Sequence, residues 1–519
     1  MKVFLMHRSR DIDLGQEPPP NHEELTKDLE LDTLAGAMAD GDRFLFDVAK
    51  NVVLASLTDP DAIVYRQRAL ADCLDHPSVL RRMYGIAVEA TESKRRVYGG
   101  LFRDSPERIL SRSVRVLELL MESLKQLRQL AEEHAAEFRS EAFTRLFAML
   151  ADELSDEYLA KVERYLRELK LRRGVLMSAG LDRGNKGTNY VLHRLPEQSW
   201  LERIAERITD KGNQSYGFQV PERDENGFRA LSRLEDKGVN LVANALAQAA
   251  DHVLSFFGVL RTELAFYIGC VNLHGRLAEK GEPVCFPDPK PAGVPVLSAR
   301  QLYDVCLSLH LEERTVGNDV DAENKLLVMV TGANQGGKST FLRSVGLAQL
   351  MMQSGMFAPA ESFRADICKG VFTHYRREED AGMESGKLDE ELRRMSEIAD
   401  SITANCILLC NESFAATNER EGSEIARQVI RALTEADVKV VFVTHLFDLA
   451  HGFHIQGSDD VLFLRAERRP DGGRTFRLLE GEPLPTSYGE DSYRRIFGAP
   501  PGEARVPRTS DCEEAQGDL

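Results

Sequence analysis

A five-residue apolar run, Leu326–Val330, leads directly into Thr331-Gly-Ala-Asn-Gln-Gly-Gly-Lys-Ser-Thr340, so that Gly332 to Ser339 read G-x-x-x-x-G-K-S. These residue types in this order suit a nucleotide phosphate. The glycines let successive backbone N–H groups turn inward around phosphate oxygens. Lys338 then reaches the β and γ phosphates, and the Ser339 hydroxyl is a ligand for Mg²⁺. The helix expected to start near Lys338 points its positive end at the anion, and its apolar residues Phe341, Leu342, Val345 and Leu350 give it a buried face. The chemistry this predicts is binding of ATP with Mg²⁺.

Such a loop is shared by kinases, GTPases and ABC-type ATPases, and the discriminating residues lie downstream. Cys406-Ile-Leu-Leu-Cys410 reads as a second buried strand and ends in Asn411-Glu412. In the ABC-like branch the pair at this point is Asp-Glu, the Asp supporting Mg²⁺ and the Glu polarising the attacking water. A third strand, Val438-Lys-Val-Val-Phe-Val443, ends in Thr444-His445, where a histidine can sense the γ-phosphate.

With these residues in view, the sequence resembles the MutS family of DNA mismatch-repair ATPases. The family's loop reads T-G-P-N-M-G-G-K-S-T, matched by Thr331, Gly332, Asn334, Gly336, Gly337, Lys338, Ser339 and Thr340, with departures at Ala333 and Gln335. Asn411 to Gly422 resembles D-E-x-G-x-G-T-x-x-x-[DE]-G, with Thr417, Glu421 and Gly422 in register. Thr444-His445 resembles the family's T-H switch, and Thr486-Ser-Tyr-Gly489 its Ser-Tyr-Gly near the end of the ATPase domain. The resemblance implies that Lys338 and Ser339 hold ATP·Mg²⁺, that Glu412 orients water, and that His445 reports the γ-phosphate. It also implies two such domains trapping nucleotide between them in a homodimer.

Two departures bear on the chemistry. Asn411 stands where the family has Asp, which removes a negative charge beside the metal and predicts slow hydrolysis while sparing binding. The family's trans-acting S-G-x-S-T-F is here Ser385-Gly-Lys-Leu-Asp-Glu390, so a γ-phosphate role carries over to Ser385 alone.

The elements that must position these groups form a multidomain α and α/β chain. Residues 1–28 read as a polar N-terminal tail, and 29–172 as a helical core and first lever arm. In that arm Ser105 and Pro106 mark a helix start, and Leu117, Leu120, Leu124 and Leu127 form one stripe. Residues 173–233 turn glycine-rich and strand-like, a small β-containing insert resembling the family's DNA clamp. From Lys161 to Lys211 there are twelve Lys/Arg against seven Asp/Glu, and Arg173, Arg183, Lys186, Arg194 and Lys211 are the candidate DNA contacts. A lever helix apolar on nearly every face returns over 234–291. It is closed by Gly281 and the boundary-like run Cys285-Phe-Pro-Asp-Pro-Lys-Pro291. An ABC-type ATPase domain is expected over 292–499 and a disordered tail over 500–519. The mismatch-binding and connector domains of full mismatch sensors are not expected, since about thirty residues precede the core.

Composition bounds the reading. The net charge of −17, from 66 Lys+Arg and 83 Asp+Glu, argues against a generally adhesive nucleic-acid or membrane surface and confines any polyanion site. The eight cysteines form no C-x-x-C pair and read as reduced thiols, and the start lacks signal-peptide features, so a cytoplasmic protein without a membrane partner is expected. The combined expectation is a nucleotide-switched dimeric clamp on double-stranded DNA, mismatched or branched, acting in mismatch repair or recombination-related DNA metabolism. Its rivals are a static ATP-locked DNA-binding module, which Asn411 favours, and a P-loop kinase, which the long helical region disfavours.

Overall fold

The apolar stripe Leu117, Leu120, Leu124 and Leu127 is buried along a helix that starts at Pro106, where the missing N–H of proline costs nothing. That helix belongs to a computed structural model that describes residues 1–98, 106–170, 176–182, 186–193, 225–377, 386–469 and 472–484. Ser105 lies outside the described residues. In chain order the first elements are α1 (His22–Asp28), α2 (Leu31–Ala39), α3 (Arg43–Leu54), α4 (Pro60–Asp75), α5 (Pro77–Tyr98), α6 (Pro106–His134), α7 (Glu141–Glu153) and α8 (Asp156–Glu168). Strands β1 (Leu176–Asp182) and β2 (Lys186–His193) and the helix α9 (Glu225–Glu279) follow. Then come β3 (Asp288–Lys290), β4 (Leu297–Leu302), α10 (Val305–His310), β5 (Asn318–Asp321), β6 (Leu327–Gly332), α11 (Lys338–Gln353), β7 (Ser362–Asp366) and β8 (Val371–Tyr375). The last are α12 (Lys387–Ser401), β9 (Ile407–Asn411), α13 (Glu419–Glu435), β10 (Lys439–Val443), α14 (Phe447–Gln456), β11 (Val461–Arg468) and β12 (Arg474–Glu480). The chain is thus mixed helical and α/β.

Contacts divide it into two units. The first comprises residues 1–13 and 68–268. Its helices enclose the α6 stripe and an aromatic group, Phe138, Phe143 and Phe147. Asp72 accepts the backbone N–H groups of Arg139 and Ser140, which ties α4 to the start of α7. β1 and β2 pair antiparallel with an irregularity between Ser178 and Gly180, so the expected β-containing insert includes a hairpin. α9 already begins at Glu225, inside the stretch expected to belong to that insert. By length and composition alone, its Val239–Glu279 stretch is apolar enough to cross a membrane. Phe257, Leu260, Leu264 and Phe266 are nevertheless fully covered by protein, as in a core helix.

The N-terminal tail expectation is corrected. Val3, Leu5 and Met6 are buried, and Glu263 of α9 accepts the N–H groups of Leu5 (2.7 Å), Met6 (3.3 Å) and Ile12 (2.8 Å). The Tyr267 hydroxyl donates to Leu5 O at 2.7 Å. Residues that read as a polar start are held because a buried carboxylate takes up their unpaired backbone donors.

The second unit comprises residues 14–67 and the chain from 269 onward. Its six-stranded sheet has the order β12-β11-β6-β10-β9-β8, parallel except for the antiparallel edge strand β12. β6 and β10 are buried nearly throughout, as a parallel strand covered on both faces requires. One core of this sheet gathers Met329, Leu408, Phe442, Phe414 and Ile430. The second sheet, β3-β7-β4-β5, is mixed.

Two further boundary expectations change. Residues 14–67, placed by sequence partly in the tail and partly in the helical core, cover α11 instead. Leu29 lies against Gly346, Arg343 pairs with Glu30 and Asp304, and Gln353 donates to Leu57 O at 3.0 Å. The proline-rich run 285–291 is no linker. Cys285 exchanges backbone hydrogen bonds with Ala358, and Asp288–Lys290 pairs with β7, so partners some seventy residues later decide its conformation.

Candidate functional site

Register puts four strand ends in one line. Val443 lies opposite both Val330 and Asn411, and Asn411 lies opposite Tyr375. The residues that follow, Thr331, Thr444, Glu412 and Arg376, therefore emerge together at the carboxyl edge of the sheet, where parallel α/β sheets hold ligands.

From β6 the chain turns through Gly332 to Gly337 into α11. A Cβ on Gly336 would lie 2.7 Å from the Cβ of Ala466 and 2.9 Å from Ala333 O, so only glycine fits under β11. Gly337 caps α11 with φ +90° and contributes no side chain to the cap, which leaves the first-turn N–H groups of Lys338, Ser339 and Thr340 open to an anion. Lys338 is buried and its Nζ donates to Gly332 O (3.1 Å) and Ala333 O (3.0 Å). Burial pushes its pKa down to about 8, opposed by the Glu412 carboxylate and aided by Arg474.

Across the cleft, Ser339 Oγ donates to Asn411 Oδ1 at 2.8 Å. Glu412 adopts φ +55°, unusual for a residue with a side chain, and is fixed by its N–H to Val443 O at 2.9 Å. His445 Nε2 lies 2.9 Å from Glu412 Oε1. That hydrogen bond, together with the His445, Lys338 and Arg376 charges, holds the carboxyl below its usual range against the opposing effect of burial. With Nε2 donating, His445 Nδ1 is buried without a partner among the described residues. The loop from Asn334 to Thr340, with Arg376, Glu412 and His445, lines a cleft of about 570 Å³. The arrangement can hold a polyanion and activate a water molecule beside it.

A layer behind the cleft fixes Glu412. Ser413 Oγ donates to His374 O (2.8 Å) and lies 2.7 Å from His374 Nδ1, while His374 Nε2 lies 3.1 Å from Glu391 O. The His374 ring stacks on Phe414, and burial pushes its pKa down to about 4, so it stays neutral. Phe414 also takes a positive φ, and a Cβ on Gly422 would come 2.4 Å from Phe414 O. The Thr417…Glu421-Gly422 match therefore has a structural basis. Thr417 Oγ1 donates to the Glu421 carboxylate, Asn418 caps α13, and Gly422 admits the Glu412–Phe414 turn.

The structure thus gathers Gly332, Asn334, Gly336, Gly337, Lys338, Ser339, Thr340, Asn411, Glu412 and His445, all named from sequence. Ser385, Arg173, Arg183, Arg194, Lys211 and the Thr486–Gly489 motif lie outside the described residues, and Lys186 is described only as the first residue of β2. Sequence reasoning missed His374, Arg376, Ser413 and Arg474, whose Nε donates to Asn334 O at 3.1 Å. The Thr373-His-Tyr-Arg376 run at the end of an apolar strand was the available signal.

Comparison with known proteins fits this geometry. The MutS2 N-terminal domain family matches residues 58–280 and the MutS domain V family residues 328–490, the latter including every group gathered in the cleft. A DNA mismatch repair protein MutS of Thermus aquaticus is 34% identical over 184 residues, 34% of this chain and 22% of that protein. An endonuclease MutS2 of Streptococcus thermophilus is 24% identical over 328 residues, 62% of this chain and 40% of that protein. The human MutS protein homolog 4 is 28% identical over 163 residues, 31% and 17% respectively. The chain thus spans less than half the length of these relatives. Two consecutive family matches across both units, and a cleft built from the residues that the second one covers, establish that the chain belongs to the MutS family.

Proposed function

We propose that this chain is an ATP-binding and DNA-binding member of its family, a dimer whose ABC-type ATPase domains switch its hold on double-stranded DNA in mismatch repair or recombination-related DNA metabolism. The observation that carries the reading is the convergence of Lys338 and Ser339, at an uncapped helix start, with Asn411, Glu412 and His445. The α11 N–H groups and Lys338 bind the phosphates. Glu412, ionised and oriented by His445, accepts a proton from the attacking water, and His445 beside it reports the γ-phosphate.

The donor set suits Mg²⁺. Ser339 Oγ and Asn411 Oδ1 are hard oxygens 2.8 Å apart, beside a loop that glycine keeps open, and these two residues would hold the ion. Bound there, Mg²⁺ supplies charge neutralisation for the phosphates. Asn411 contributes a neutral oxygen where a carboxylate would add charge, which supports slow turnover and keeps an ATP-locked clamp as the second reading. The names of the relatives and the basic composition of the 161–211 stretch support DNA as partner.

Calorimetry with ATP, and filter binding to homoduplex, mismatched and branched DNA with and without ATP, test the reading. Wild type should bind ATP, and Glu412→Gln should bind it equally while hydrolysing at least ~10²-fold more slowly. Neutralising Arg183 and Lys186 together should weaken binding to all duplexes alike and flatten its salt dependence. A wild type that binds no nucleotide would overturn the proposal.

A further inference from the structure

The cleft holds a cation that none of the loop, strand-end and switch motifs includes. Arg376 follows the last residue of β8, and its N–H donates to Asn411 O at 3.0 Å, which fixes its main chain beside the Asn411–Glu412 pair. The next residue, Arg377, pairs with the buried Asp28 at 2.8 Å, so the backbone is held on both sides of Arg376. Its side chain is 45% exposed and lines the cleft.

Within the described residues the guanidinium makes one ionic contact, to Glu412 Oε2 at 3.7 Å. That is outside hydrogen-bond distance, and a dedicated partner for a carboxylate would take the close, bidentate geometry that arginine favours. Glu412 already has such a close partner in His445. An arginine carries five N–H donors, so among the described residues most of those on Arg376 are left to whatever enters the cleft. Lys338, in contrast, spends donors on Gly332 O and Ala333 O at the loop side. In the sheet order β6-β10-β9-β8, Arg376 approaches from the opposite side, past Asn411 and Glu412. Among the described residues lining the cleft, Lys338 and Arg376 are the permanent cations, beside His445, against the carboxylate of Glu412.

We propose that Arg376 contacts the terminal phosphate of a bound nucleoside triphosphate and so makes this site prefer triphosphate over diphosphate. The inference rests on the nucleotide reading given above and deepens it. The loop N–H groups and Lys338 serve the phosphates nearest the loop. A phosphate reaching as far as Glu412 and His445 meets the guanidinium, whose planar fork matches two of its oxygens. With Asn411 neutral, the excess positive charge of the lining is directed to the added negative charge of that phosphate.

The test measures affinities for ATP and ADP, and for tripolyphosphate and pyrophosphate, in the parent and in the Glu412→Gln protein, each with and without Arg376→Gln. Removing charge-assisted hydrogen bonds to the terminal phosphate should lower ATP and tripolyphosphate affinity about tenfold or more. ADP and pyrophosphate binding should be retained, which also shows that the variant is folded, and Arg376→Lys should recover part of the loss. Equal loss for ATP and ADP, or no loss for either, would overturn the assignment. An effect seen only when Glu412 is intact would make Arg376 a counter-ion of that carboxylate and would equally overturn it. If the parent protein binds neither nucleotide, the nucleotide reading itself fails, an outcome distinct from a parent that prefers ATP whether or not Arg376 is present.

Discussion

Ser339 and Asn411, seventy-two positions apart, are joined by a 2.8 Å hydrogen bond from the serine hydroxyl to the amide oxygen. The bond crosses the cleft at the junction of α11 with the end of β9 and holds together the two residues proposed above for Mg²⁺. Asn411→Asp keeps an acceptor for Ser339 and adds a negative charge where a divalent cation would sit. Single-turnover hydrolysis should be faster in Asn411→Asp and should saturate at lower Mg²⁺. If the substituted protein is slower at every Mg²⁺ concentration, desolvation of the added carboxylate outweighs its charge, and the slow-turnover reading of Asn411 is wrong.

Lys338 gives a pH dependence of defined sign. Burial holds its pKa at about 8, and a bound polyphosphate favours the charged ammonium, so binding takes up a proton near and above that pH. ATP affinity should be level below about pH 8 and fall by up to about tenfold per pH unit above it. Calorimetry at alkaline pH in buffers of different ionisation heat measures the uptake directly. Lys338→Ala should abolish both tight binding and the proton linkage. An affinity that does not change across this range would place the ammonium away from the ligand.

Gly422 and Gly36 form a contrasting pair. A Cβ on Gly422 meets Phe414 O at 2.4 Å, a backbone atom in a turn that also carries the positive φ of Glu412. Gly422→Ala should cost about 1–3 kcal/mol by overpacking, and should slow hydrolysis by shifting Glu412. Gly36, inside α2, has open space where its Cβ would stand, and Gly36→Ala should stabilise by about 0.5–1 kcal/mol through helix propensity. Urea unfolding of the two variants beside the parent checks both signs. Equal midpoints for the two would refute the packing argument.

Glu263 links the first thirteen residues to pH. Burial raises its carboxyl to about 7 in spite of three backbone N–H donors. A folded pKa above the unfolded one means that its stabilising contribution is complete below about pH 4.5 and is lost as pH rises through about 7. The change is at most about 3 kcal/mol. Glu263→Gln should flatten the fall in urea midpoint across that window. Parallel profiles for parent and variant would show that Glu263 does not titrate there.

The cleft was legible from sequence wherever its chemistry is local. A loop that turns on Gly336 and Gly337 and opens a helix at Lys338 is a contiguous stretch, and its residue types alone require inward N–H groups. Glu412 and His445 could be placed because each follows an apolar run, and parallel strands end at a common edge. Arg376 and His374 escaped because their proximity to Glu412 follows from β8 pairing with β9, an adjacency that no spacing encodes. The same reason explains the boundaries that moved. Leu5 and Met6 are held by a carboxylate more than 250 residues away, and Asp288–Lys290 within the proline-rich run is a strand only because β7 pairs with it. Residue types and short spacings, acting through local sterics and hydrogen bonding, set which chemistry this chain can do. Long-range strand pairing and the satisfaction of buried polar groups, present only in the folded chain, decided which side chains share the cleft and which segments enclose it.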